Sequence, residues 1–202
     1  ICPVAMVLVW AVLEPILIGT VDKSLAPTAQ ALGALELASG NELSVGLINM
    51  LGLLFLSGTM LGLALLGRSL QAGGANLGAL CSLIFPALVA VAISGFGLSL
   101  EATNLLKEGY PDNAAALELI SNGVFGAMPM FWGLGVVLLG LAITKENGHI
   151  PATMGWILAV VGVGMFSGTF IDFNNTPAGM IIWIGMSLTI VATGVVSLRK
   201  AA

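Results

Sequence analysis

Apolar residues along this chain neither alternate with polar ones nor recur with a clean helical period; they come in long runs. Six runs stand out, at residues 2–20, 43–67, 76–100, 122–144, 152–171 and 178–198. Each approaches or exceeds the roughly 20 residues an α-helix needs to cross about 30 Å of hydrocarbon. A helix in lipid meets apolar surroundings on several sides, so the 3.6-residue period blurs. An open sheet is excluded, because lipid cannot satisfy its edges. A β-barrel would show polar residues at every second position, and these runs do not. The pattern predicts an all-α membrane protein, with residues 1–202 forming one six-transmembrane-helix bundle.

The connections are of two kinds. Residues 68–75, 145–151 and 172–177 are short and rich in Gly, Asn and Pro, as joints between antiparallel neighbours are. Residues 21–42 and 101–121 are longer and carry the helix-like patches TAQALGALELA and DNAAALELI. Each is expected to hold a short helix at the membrane surface. Pro111 and Asp112 would begin the second, since proline suits a first helical turn and an acid suits its dipole. The tetrapeptide ALEL occurs at 34–37 and again at 116–119, each time ahead of a glycine-rich helix containing GLA. A duplication of helices two and three as four and five would leave this trace. A chain rich in Leu, Ala and Gly also produces it by chance.

Composition sharpens the class. Of 202 residues, 58% are apolar and only 8% are charged, against about 25% charged in a soluble domain. The 27 glycines point to close helix packing in lipid. A net charge of −4 disfavours nucleic acid and anionic lipid surfaces as partners. An even number of helices puts both termini on one side, with Arg68, Lys145, Arg199 and Lys200; the other side holds Lys23 and Lys107. The excess makes the terminal side cytoplasmic by the positive-inside rule. Cys2 and Cys81 then face a reducing compartment, and no disulfide is expected. The chain begins at Ile1 inside an apolar run, which reads as a retained helix.

Glu14, in VLEPIL, is the one acid well inside a predicted span. A carboxylate there is costly and should face the bundle, a partner or water. It is either a proton or cation site or a structural group hydrogen-bonded to a neighbouring helix, and Pro15 beside it permits a kink. Pro86 and Pro129 also lie within spans, where broken helices can mark a transporter site; with no charge beside them, packing kinks are the simpler reading. Gly58 with Gly62, and Gly164 with Gly168, form GxxxG pairs, candidates for close helix approach. The single histidine, His149, sits in the polar loop KENGHIPA, where solvation is the ordinary outcome. The NNT at 174–176 fits turn sequence better than a glycosylation acceptor. The acids of the outer loops, Glu118 among them, read as a solvated face.

Familiar catalytic patterns are missing from the sequence. One histidine cannot supply two axial haem ligands, and no CxxCH is present. No lysine lies in mid-span for a retinal Schiff base, and HExxH, GxSxG and Walker A sequences are absent. No catalytic residue, cofactor or metal site is therefore expected.

The stretch LLGLAITKENGHIPATMGWILAVVGV joins a glycine-rich span to a polar loop, then Pro151, then Gly155 and Trp156 opening the next helix. It resembles a broad group of uncharacterised six-helix bacterial membrane proteins. The resemblance implies a fold and a bacterial inner-membrane location, and carries over no functional residue. The expectation is a non-catalytic accessory or structural subunit, packing against membrane lipids and other membrane protein subunits. The alternative is a small transporter or channel with Glu14 as its proton or cation coupling residue.

Overall fold

A computed structural model of the chain describes residues 1–146, 148, 150–168, 170 and 177–199, less the side chains of 177, 178, 180 and 199. Among these residues every regular element is a helix. They are α1 (Cys2–Leu17), α2 (Pro27–Gly40), α3 (Glu42–Ser69), α4 (Ala75–Lys107), α5 (Pro111–Lys145), α6 (Ala152–Gly168) and α7 (Pro177–Arg199). Four are long and apolar enough to cross a membrane: α3, α4, α5 and, over Ile181–Leu198, α7. Helices α1 and α6 are apolar but shorter. At 1.5 Å per residue the 17 residues of α6 reach about 25 Å.

Consecutive helices pack as neighbours from α3 through α7, and α1 fits between α3 and α7, closing a ring of six. Each ring helix contributes a large side chain to one core: Met6, Met60, Phe85, Trp132, Met165 and Met186. None of these is more than 1% exposed. Trp132 and Trp183 meet edge to face at 5.1 Å, joining α5 to α7. Leucines on the outer faces of the same helices, such as Leu54, Leu65 and Leu188, stay exposed.

The two long loops behave differently. The first holds a separate helix, α2, begun by Pro27. The second holds none, which corrects the expectation of a surface helix there. Its first part completes α4, and Pro111 opens α5, which runs unbroken to Lys145. The 33 and 35 residues of α4 and α5 span about 50 Å, well beyond the hydrocarbon thickness. Their outer ends have an apolar core of their own, in which Leu35 of α2 packs on Ala102 and Ala114. That packing removes the reason for a break. The turn between them is a Schellman closure: Tyr110 N–H donates to the Leu105 carbonyl, Gly109 N–H to that of Leu106, and Gly109 takes φ +86°. Lys107 adds an exposed ion pair with Glu42 at 2.7 Å, of the kind that contributes little to stability.

Other ends shift by a few residues. The runs at 2–20 and 152–171 give helices ending at Leu17 and Gly168, whereas 43–67 and 178–198 extend slightly to Glu42–Ser69 and Pro177–Arg199. Pro86 and Pro129 sit inside continuous helices, so neither marks a broken helix. His149, the NNT at 174–176, Asp172 and Lys200 lie outside the described residues.

Candidate functional site

Glu14 follows a π-turn at Val9–Leu13. The Glu14 N–H reaches five residues back to the Val9 carbonyl, and Pro15, next in line, has no N–H to give. The wider turn absorbs that missing donor while the chain stays helical, an arrangement often found at functional sites. The Glu14 side chain is half-buried, and among the described residues it makes no hydrogen bond or ion pair. The neighbouring-helix partner expected of a structural Glu14 is thus not among them. Four residues earlier Trp10 packs on α3, so close that a Cβ on Gly52 would stand 2.8 Å from its Nε1.

The glycine pairs singled out by spacing are not where backbones come closest. A Cβ on Gly58 would meet Cys2 Sγ at 3.0 Å, one on Gly62 would meet nothing within 4 Å, and one on Gly164 would make ordinary contact with Ile182. Gly168 is buried at the end of α6. One close approach is between α5 and α6. There Gly140 faces Gly155 and Gly133 faces Gly162, and a Cβ on each member would run into its partner's carbonyl oxygen at 2.5–2.8 Å. Both pairs repeat at seven residues, so they lie on one face of each helix. A second tight crossing puts Gly67 of α3 against Gly78 of α4.

At the end of the bundle that holds Arg68 and Lys145, two connections are joined by one carboxylate. Glu146 accepts N–H groups from Gln71, Ala72 and Gly74 at 3.0–3.1 Å. The three donors form a backbone nest of the sort that binds anions, filled by a side chain of the same protein. Loss of hydration pushes the Glu146 carboxyl upward, but the N–H donors of Ala72, Gly74 and Gln71 outweigh it, and it is held below its ordinary 4.5.

One buried acid escaped the sequence reading. Glu118, on α5, is 8% exposed, and one of its carboxyl oxygens has no partner among the described residues. Beneath it Ser121 donates to the Gly95 carbonyl at 2.9 Å. Positions 114, 118, 121, 125, 128 and 132 fall on one face of α5, and that spacing was the available signal. Deeper in the core, Trp132 Nε1 and Ser187 Oγ also lack partners among the described residues. Cys2 and Cys81 are free thiols; Cys81 is fully buried and donates to the Gly78 carbonyl at 3.2 Å. No three His, Cys, Asp or Glu residues converge as a metal site among the described residues.

Comparison with known proteins leaves the chain by itself: no family model, no curated protein and no solved structure matches it.

Proposed function

We propose that this chain is a non-catalytic multi-pass membrane protein, an accessory or structural subunit that packs against other membrane proteins and lipids. One observation carries the reading. The six ring helices close on a single interior of interlocked apolar side chains, from Met6 to Met186. That interior suits a scaffold more than a path for a polar substrate. All six helices cross the membrane in this proposal, α1 and α6 through local thinning of the bilayer. Both termini face the cytoplasm of a bacterial inner membrane, on the positive-inside count above.

Extraction from the native membrane in mild detergent tests the role. A second membrane protein in fixed stoichiometry is the expected result. A single monodisperse chain that carries an ion flux in proteoliposomes overturns it.

Orientation is tested by cysteine labelling from outside the cell, in a background with Cys2 replaced and Cys81 left buried. Exposed positions are needed. Ala115 is only 4% exposed and a Cβ on Gly73 would run into the Lys145 carbonyl oxygen, so neither serves. Asn113 and Gln71 are exposed at opposite ends of the bundle. Asn113→Cys should label and Gln71→Cys should not; the reverse pattern inverts the topology.

The transporter alternative draws on the Glu14 carboxyl beside the π-turn, which has no partner among the described residues. On the scaffold reading Glu14→Gln and Glu14→Leu both leave the amount and assembly of the protein near wild type. Glutamine keeps the shape, and leucine suits lipid. Loss of a measured flux in both variants at unchanged protein level would favour coupling, because neither side chain can cycle a proton.

A further inference from the structure

Arg68 ends the apolar stretch of α3, in its last turn. Its side chain lines an open cleft of about 330 Å³ between α3 and α4, with Leu70, Ala75, Ala79, Ser82 and Leu83. The cleft joins two chemistries. Its one cationic lining residue is Arg68, which is exposed and has no carboxylate partner among the described residues. Apart from Ser82 the rest of the lining is small or apolar, and it includes Leu83, which is 64% exposed. The Ser82 hydroxyl is turned back to the Ala79 carbonyl at 2.7 Å. The nearby acid, Glu146, is occupied by three backbone N–H groups on the α3–α4 connection.

A fixed cation over an apolar groove at the end of a membrane helix fits an amphiphile with an anionic head. We propose that the cleft seats an anionic phospholipid, its phosphate on the Arg68 guanidinium and one acyl chain in the α3–α4 groove past Ala79 towards Leu83. Guanidinium offers phosphate two parallel donors, a geometry that lysine lacks. Among the described residues no carboxylate lines the cleft to receive the ammonium of a zwitterionic headgroup. Small residues at 75 and 79 leave the room a chain needs. This inference rests on the membrane reading and is independent of whether the protein is a subunit or a transporter.

The test uses the full chain in neutral detergent, with phosphatidylglycerol, phosphatidylcholine or inorganic phosphate added, read by native mass spectrometry and thermal shift. Phosphatidylglycerol is expected to bind saturably and raise Tm more than phosphatidylcholine does. Arg68→Gln should weaken it about tenfold, the loss of one charge-assisted contact, and Arg68→Lys should restore part. Ala79→Phe should weaken it too, by filling the groove with the charge intact. Equal binding of the two lipids, unchanged affinity in Arg68→Gln, or the same Tm rise with inorganic phosphate overturns the proposal. The last outcome would make the cleft a free-anion site. Because Arg68 is exposed at a helix end, its variants fold even if Ala79→Phe does not.

Discussion

Gly140→Leu is expected to abolish the folded bundle. A Cβ at position 140 stands 2.5 Å from the Gly155 carbonyl oxygen and 2.6 Å from the Ala159 nitrogen. Both are backbone atoms of the facing helix, so no rotamer change can make room; α5 and α6 must separate. Separation breaks the core at Trp132, Leu139, Leu158 and Met165 together. The smallest change, Gly140→Ala, already forces a shift and should cost about 1–3 kcal/mol, the range for overpacked interiors. Gly62→Ala supplies the contrast, since its Cβ meets nothing within 4 Å. There alanine should hold or raise stability by up to about 1 kcal/mol through its better helix propensity. Size-exclusion profiles and thermal unfolding in detergent read all three variants. A Gly140→Leu protein with wild-type Tm would mean that α5 and α6 do not cross as described.

The contrast between these glycines shows what the sequence could and could not reveal. Long apolar runs identify helices because hydrocarbon demands satisfied backbones, and all six runs contain one. The runs do not say which face of a helix meets which neighbour. Gly58, Gly62, Gly164 and Gly168 satisfy GxxxG by local spacing, whereas Gly133, Gly140, Gly155 and Gly162 work through a seven-residue repeat on two separate helices. Only the pairing of α5 with α6 reveals that repeat as a contact. Helix ends were obscured for a related reason. Residues 101–107 read as a connection and 111–121 as a separate surface helix begun by Pro111, because acids and asparagine interrupt the apolar run. Both segments instead continue the long helices, and Leu35, distant in sequence, packs on Ala102 and Ala114 there.

Single residues followed the same rule. Glu14 was visible as an acid in an apolar run, and its place beside Pro15 foretold a local disturbance that takes the form of a π-turn. Glu118 was counted with solvated acids because charged residues surround its segment. Its burial depends on α4 lying across the face that holds Ala114, Glu118 and Ser121. Glu146 looked like one more loop charge in KENGHIPA. Its partners lie 72 to 75 residues away, beyond anything local patterning records.

Glu146→Gln is therefore the most informative change at the Arg68 end of the bundle. Oε1 accepts from Gln71 and Ala72, and Oε2 from Ala72 and Gly74, so both oxygens are used as acceptors. An amide replaces one acceptor by a donor, which then faces backbone N–H groups and leaves at least one unpaired. The two connections should loosen together and Tm should fall at neutral pH. The pH profile gives a second readout. Glu146 titrates below its ordinary 4.5 in the folded protein, so the unfolded chain takes up its proton first as pH drops. The stabilisation is complete above the unfolded value and disappears as pH falls through the lower, folded one. Wild type should thus lose Tm in acid below about pH 4.5, and Glu146→Gln should lack that share of the loss. Asp22, held low by hydrogen bonds from the Ser24 backbone and side chain, titrates in the same region. It is common to both proteins and cancels in the difference between their profiles. Parallel acid profiles, or an unchanged Tm at pH 7, would show that the carboxylate is not what joins the two connections.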